Sequence, residues 1–190
     1  MSRGEGPRLE RLGEHHDVSG FAAGNADLDS WLHRPALAAQ AMGSARTFVL
    51  LRDDTVVGYF SLTMVSVRRE DIPTPLVRGL PAYPAGIVLV ARLAVDGAEP
   101  GAGLGARLLS EALRKAVDAG EIAAARLVLV DAIDDSAAAF YRRHGFTPAP
   151  EHPLRLYRRM KEIRVSLDQA EPPSPRRAGA TVRCTTTPGL

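Results

Sequence analysis

The chain has 190 residues, of which 45% are hydrophobic and 24% charged, a globular balance that excludes disordered and collagen-like classes and suffices for one domain with its own core. No run of about 18 apolar residues occurs and the N-terminus carries no apolar signal core, so a cytoplasmic protein without a membrane span is expected. Lys and Arg number 24 against 22 Asp and Glu, a net charge of +2, and the pI near 9.0 permits an acidic partner such as nucleic acid without requiring one.

In chain order, Arg8–Leu12 reads as a short first strand. Asn25 or Asp27 opens a helix that turns Leu28, Trp31, Leu32 and Leu37 inward, with Pro35 bending or splitting it. Thr47–Arg52 and Val56–Val67, on either side of Asp53-Asp54-Thr55, read as a hairpin rich in β-branched and aromatic residues. Pro73, Pro75, Pro81 and Pro84 make Glu70–Gly86 an irregular loop, long enough to suspect of function. Leu89–Val95 is an apolar strand, followed by a glycine-rich loop (Gly97–Gly105) and an amphipathic helix with Leu108, Leu109, Ala112, Leu113, Ala116 and Val117 on one side. Arg126–Val130 is another buried strand. Asp134, Asp135 or Ser136 caps the short helix after it, and Gly145 ends that helix. Phe146–Met160 supplies one or two closing strands around a proline-rich turn. From about Val165 the composition shifts to Pro, Arg, Thr and Gly, so the expected division is an ordered domain over 1–164 and an unpacked tail over 165–190. The single cysteine, Cys184, falls in that tail, cannot form an internal disulfide and is given no catalytic role.

The most informative stretch is Leu89–Leu109. A strand, a loop of small residues and a helix N-terminus together make a row of free backbone N–H groups at the positive end of a helix dipole, which is a phosphate cradle. Glycines let a diphosphate approach the backbone where a Cβ would hold it off. Taken alone, such a loop also fits a plain strand-to-helix turn. About thirty residues on, Asp131–Phe146 (DAIDDSAAAFYRRHGF) adds a helix with Tyr141 near its cationic end.

These two segments at this spacing resemble the Gcn5-related N-acetyltransferases (GNAT). The resemblance implies a mixed α+β fold: a single domain whose central, mostly antiparallel sheet is flanked by helices, using acetyl-CoA as co-substrate. Carried onto this chain, the cofactor-binding set is Leu93, Ala94, Val95, Pro100, Gly101, Ala102, Gly103, Leu104, Gly105 and Ser136, with Tyr141 near the thioester sulfur. The family loop usually opens on Gln or Arg. Here Pro100 stands at that position, and Ala102 lacks the basic side chain often found at its own. Both departures remove side chains and not backbone donors, so weaker cofactor affinity is expected, not loss of binding. No metal ligand set is expected.

A wider set of residues narrows the resemblance: Phe21, Asn25, Leu28, Asp29 and Trp31-Leu32, then Arg46–Val49, Gly58–Leu62, Ala91–Asp96, Val130–Ala132, Phe140-Tyr141 and Gly145-Phe146. It looks like the GNAT toxins of bacterial toxin–antitoxin pairs, which acetylate the α-amino group of aminoacyl-tRNA and so stop translation. The likeness runs from Leu9 to Tyr157 and implies a homodimer held in check by a small ribbon–helix–helix antitoxin.

The chemistry follows from the residues. A neutral amine attacks a thioester carbonyl, an oxyanion forms, and a thiolate leaves. Backbone N–H groups around Leu93 and Val95 are placed to polarise the carbonyl. Tyr141 is the candidate general acid, since a phenol with a pKa of about 10 keeps its proton at neutral pH. Asp96, Glu99, Asp131 and His144 lie in or beside the signature segments, and none is singled out as a base. An α-amine, with a pKa of about 7.7–8.0, is substantially neutral without one, whereas a lysine at about 10.4 is not. Phosphate contacts to RNA would come from Arg34, Arg46, Arg78 and Arg92, with Arg68 and Arg69 as further candidates and the tail arginines Arg176, Arg177 and Arg183 as non-specific attraction. Arg92 stands out because it interrupts the apolar run VLVARLAV, where an unpaired charge is costly. Two alternatives stay open: an acetyltransferase for a small amine or a protein N-terminus, favoured by an acidic acceptor pocket, and a binding module that has lost catalysis.

Overall fold

The computed structural model describes residues 6–170 apart from 81, 83, 100 and 102. Pro100 and Ala102 therefore lie outside the described residues, as do Arg176, Arg177, Arg183 and Cys184. Strands β1 (Arg8–Arg11), β2 (Arg46–Arg52), β3 (Thr55–Val67), β4 (Ala85–Val95), β5 (Leu127–Asp131), β6 (Thr147–Pro148) and β7 (Arg155–Arg159) form one sheet in the order β1-β2-β3-β4-β5-β7-β6. Every neighbouring pair is antiparallel except β4 and β5. The fold is thus the expected mixed α+β domain with a mostly antiparallel sheet.

Helices cover both faces: α1 (Ala26–His33), α2 (Pro35–Ala41), α3 (Thr74–Val77), α4 (Leu104–Ala123), α5 (Asp135–Arg143) and α6 (Met160–Ala170). Alternation along the strands separates the cores. Val88 and Val90 join Leu108, Leu109, Ala112, Tyr141 and Ile163 in one cluster under α4, α5 and α6. On the other face α1 and α2 pack over Val49, Leu51 and Tyr59, while α3 and its flanking turns pack over Ile87, Leu127 and Leu129. None of the described helices is long and apolar enough to cross a membrane.

Local chemistry explains most boundaries. The Asn25 side chain caps α1 by accepting from the N–H groups of Asp27 and Leu28, both at 3.1 Å. Pro35 splits the expected long helix by starting α2. The restart changes the helical phase, so Ala36 and Ala39 are the buried residues of α2 and Leu37, expected inside, is exposed. Asp53 and Asp54 both have positive φ (48° and 65°) in the two-residue turn of the β2–β3 hairpin.

Two expectations need correction. Residues 70–86 are not an irregular loop throughout: a 3-10 turn (Arg69–Asp71) and α3 bury Ile72 and Leu76, and β4 starts at Ala85 because the long β3 pairs with it as far as Val67. Pairing with a neighbour outweighs the weak strand preference of Ala85-Gly86. The packed chain also does not stop at 164. Met160, Ile163 and Leu167 repeat at helical spacing and seat α6 on the main core.

Because Ile163 is fully buried, Ile163→Ala is expected to lower unfolding stability by about 2–4 kcal/mol in urea titrations. A loss below about 1 kcal/mol would mean that α6 is not part of the core.

Candidate active site

β4 and β5 pair over only three positions, Val88, Leu89 and Val90 against Val128, Leu129 and Val130. In the β3–β4 ladder Ser61 faces Arg92 and Leu62 faces Val90, so Ala91 is an extra residue on β4. Such a bulge bends the strand that carries it. β4 then runs on to Val95 beside β3 while β5 ends at Asp131, and a gap opens between their C-terminal ends. This cavity of about 80 Å³ is lined by Leu28 of α1 from one face of the sheet and by Ala137 and Tyr141 of α5 from the other. Arg92 and Leu93 form one edge, Asp131 and Ile133 the opposite one.

The ladder also sorts the strand's backbone donors. The Asp96 N–H donates to the Val57 carbonyl at 3.0 Å, and direction alternates along an antiparallel pair. Ala94, opposite Tyr59, therefore turns its backbone polar groups toward β3, and its side chain is buried in the α1–α2 core. Leu93 and Val95 turn theirs toward the gap side.

Beyond β4 the chain forms an anchored glycine loop. The Asp96 carboxylate accepts from the N–H groups of Ala22 (2.9 Å) and Ala98 (2.8 Å). Gly97 donates to the Ala22 carbonyl at 2.9 Å, so close that an added Cβ would lie 3.3 Å from that oxygen. Gly101 and Gly103 adopt φ of +72° and +66°, and nothing lies within 4 Å of where their Cβ atoms would project. Gly103 is the N-cap of the 20-residue α4, which has no side-chain cap and no acidic residue in its first turn. The N–H groups of Leu104 and Gly105 are thus left at the positive end of the helix, a site suited to a phosphate. A Cβ on Gly105 would lie 3.9 Å from the Phe140 ring, which seats the cradle against α5 next to Tyr141.

Tyr141 is buried, packed edge-on against Phe140 and Phe146 at 5.3 and 5.7 Å. Burial pushes its phenol up to about 12, so it carries its proton at neutral pH. Ser136 is exposed on the first turn of α5, next in the chain to Ala137, which lines the gap. The α5 cap is Asp134, which accepts from the Ala137 N–H at 2.7 Å.

The four groups considered as bases are all engaged. Asp96 closes the loop, Glu99 pairs with Arg52, and Asp131 takes both ends of the Arg155 guanidinium at 2.8 and 3.0 Å. His144 Nδ1 donates to the Phe140 carbonyl at 2.8 Å, which ties it to the end of α5.

Arg92 resolves the puzzle of its apolar neighbourhood. It is half-buried, and its guanidinium lies 3.8 Å from the Trp31 ring centroid, a cation–π contact. Trp31 is itself held by Nε1 donating to Ser61 Oγ at 3.2 Å, and Ser61 is 2.7 Å from the Thr47 hydroxyl in a buried polar chain. Tyr59 donates to the Leu28 carbonyl at 2.7 Å, pinning α1 over the gap. The other three arginines do not converge on this cleft. Arg34 is exposed between α1 and α2, Arg46 rests on the carbonyls of Gln40 and Ala45, and Arg78 is exposed at the far end of the sheet.

Leu28 and Trp31, expected on the inward face of the first helix and within the toxin resemblance, meet the gap and Arg92, while Ile133 and Ala137 are not among the expected site residues. The i, i+4 spacing of Ala137 and Tyr141 is the signal that puts both on one face of α5. Glu10, His15 and His16 also come together, but the Gly13 N–H donates to His16 Nδ1, so His16 keeps its proton on Nε2 and gives it to Glu10 at 3.1 Å. That tautomer offers no free lone pair to a cation.

Comparison with known proteins agrees with this geometry. Residues 43–148 match the family described as acetyltransferase (GNAT) domain. A tRNA-acetylating toxin of Mycobacterium tuberculosis (strain ATCC 25618 / H37Rv) is 40% identical over 165 residues, covering 87% of this chain and 98% of the relative. AtaT complexed with acetyl-methionyl-tRNAfMet superposes with a TM-score of 0.77 at 24% identity, covering 84% of this chain and 98% of that one. A tyrosine-to-phenylalanine mutant of AtaT, bound to the C-terminus of the antitoxin AtaR and to acetyl-CoA, gives a TM-score of 0.73 at 23% identity, covering 87% and 100%.

The raised Tyr141 pKa has a consequence for alkaline stability. The protonated phenol is favoured in the fold, so its contribution is complete below pH 10 and is lost as pH rises from 10 toward 12. Unfolding free energies from urea titrations across that range should fall more steeply for the wild type than for Tyr141→Phe, the difference approaching about 3 kcal/mol. Parallel curves would mean that the phenol is not held in a desolvated site.

Proposed function

Since the chain belongs to the GNAT acetyltransferase family, we propose that it transfers the acetyl group of acetyl-CoA to the α-amino group of an aminoacyl-tRNA and so blocks translation. The observation that carries this reading is the gap between β4 and β5, with a phosphate cradle beside it and Tyr141 in its wall. The substrate is supported by the tRNA-acetylating toxin that shares 40% identity across nearly its whole length. The same reading makes the protein a cytoplasmic toxin that forms a homodimer and is neutralised by a ribbon–helix–helix antitoxin.

Acetyl-CoA fits the residues present. The open space over Gly101 and Gly103 and the uncapped start of α4 accept a diphosphate, and the amides of Leu93 and Val95 line the path toward Tyr141. Acetyl-CoA supplies an acetyl group activated as a thioester. The chain's own groups do the rest. The Leu93 and Val95 amides orient the acyl carbonyl and bear its developing charge. Tyr141 keeps its proton at the phenolic oxygen and offers it to the departing sulfur. With a phenol near 12 against a thiol of about 8.5, full transfer is uphill by a few pK units, so the contribution is chiefly a hydrogen bond to developing thiolate charge. Among the described residues the carboxylates at the gap are engaged and none is left as a free base, which suits an α-amine over a lysine side chain. Arg92 at the gap edge, and Arg34, Arg46 and Arg78 elsewhere, meet RNA phosphates.

The test is acetylation of aminoacyl-tRNA by purified wild type and by Tyr141→Phe, read by mass spectrometry, alongside growth of cells expressing each. Turnover is expected to fall by about 10²–10³-fold in the variant with acetyl-CoA affinity retained, and growth arrest should follow the wild type alone. Unmodified aminoacyl-tRNA with a folded, acetyl-CoA-binding wild type would instead favour a small amine or peptide acceptor.

A further inference from the structure

At the end of the sheet opposite the gap, a second cleft of about 410 Å³ lies between the segment after α3, the start of β5, the end of β7 and α6. Its walls carry Arg78, Arg126, Arg159, Lys161 and Arg164, and no acidic residue among the described ones. In a chain with 24 basic and 22 acidic side chains, this is a strong local imbalance. Two of the guanidiniums are fixed by neutral backbone acceptors: Arg126 donates to the Gly79 carbonyl at 2.5 Å, and Arg159 donates to the Pro75 carbonyl. A carbonyl orients a guanidinium without cancelling its charge. Among the described residues, Arg164 alone of the five pairs with a carboxylate, Glu121 at 2.8 Å. Crowding like charges without counter-charge destabilises a fold unless an anion completes the set.

The cleft is joined to the gap along one strand. β7 runs antiparallel to β5, with Arg155 opposite Asp131 at the gap and Arg159 opposite Leu127 in the cleft. Four residues of strand span about 13 Å, a distance that a few nucleotides of one RNA strand bridge. We infer that this cleft holds the phosphate backbone of the RNA whose aminoacyl end enters the gap, an inference that rests on the aminoacyl-tRNA reading above. Cations spread over four separate elements match a repeating polyanion better than one carboxylate or one nucleotide. Phosphate contacts of this kind set register and affinity and leave the reacting end free.

The test uses Lys161→Gln combined with Arg164→Gln, two exposed positions on α6, the second in an exposed pair with Glu121. Filter binding of deacylated tRNA is measured over about 50–200 mM salt. Affinity should fall about tenfold, and the slope of log K against log salt should become shallower by about 1.5. Acetyl-CoA affinity and acetylation of an aminoacylated CCA trinucleotide should not change. Unaltered tRNA affinity and slope would overturn the inference. So would a variant that keeps tRNA but loses binding of a polyglutamate peptide, because the cleft would then belong to an acidic protein segment. Failure of the wild type to acetylate aminoacyl-tRNA would contradict only the functional reading, since the salt slope with deacylated tRNA is read independently of acetylation.

Discussion

The site depends on where one parallel strand pair stops. Val88–Val90 and Val128–Val130 hold β4 and β5 together inside the core, and the unpaired Ala91 then bends β4 away. A sheet cannot lose its ladder in the middle without leaving backbone donors exposed, which ordinarily costs stability. Here those donors belong to Leu93 and Val95 and face a gap walled by α1 from one side and α5 from the other. Water can satisfy such donors, and under the proposed function the carbonyls and amides of acetyl-CoA take its place. The same bend brings Leu28 and Tyr141, from opposite layers, into one small cavity.

Under the proposed function, two kinds of electrostatic recognition serve the two ends of the reaction. The cradle relies on backbone: positive φ at Gly101 and Gly103, an uncapped helix start and no acidic residue in the first turn of α4. Losing a basic side chain from such a loop weakens the attraction but leaves the N–H groups in place. The acceptor side relies on side chains that are held before any substrate arrives. Thr47, Ser61 and Trp31 form a polar chain across three elements and end under the Arg92 guanidinium. A cation stacked on an aromatic ring stays available to an anion in a way that one in a salt bridge does not. Asp131 and Arg155, at the opposite edge of the gap, neutralise each other instead.

Legibility in the sequence followed the range of the interactions. Features set by local chemistry were readable: the Asn25 cap, the Asp53-Asp54 turn, the apolar stripe of α4 and the glycine loop, while Tyr141 was singled out by the family resemblance. Residues whose role depends on distant pairing were not. Ala85-Gly86 looks like loop until Val67 and Ser66 pair with it. Leu37 looks like core until Pro35 resets the helix phase. Val165 sits where the composition turns polar, yet Met160, Ile163 and Leu167 carry the helical repeat past it. Arg92 was conspicuous as a charge in an apolar run, but its partner, Trp31, is 61 positions away in the chain and on another element. The cleft around Arg126, Arg159 and Lys161 was not readable, because its cations come from separate elements and each alone reads as a solvated charge.

The central claim is that the edge freed by the Ala91 bulge and the start of α4 together receive acetyl-CoA. Titrating acetyl-CoA into the protein and following backbone amide NMR signals tests it directly. The account expects the largest shifts at Leu93, Val95, Gly101, Gly103, Leu104 and Gly105, with Tyr141 responding and β1 and β2 silent. Saturable binding that shifts amides elsewhere, and leaves Leu93, Val95 and the α4 N-terminus unmoved, would contradict it.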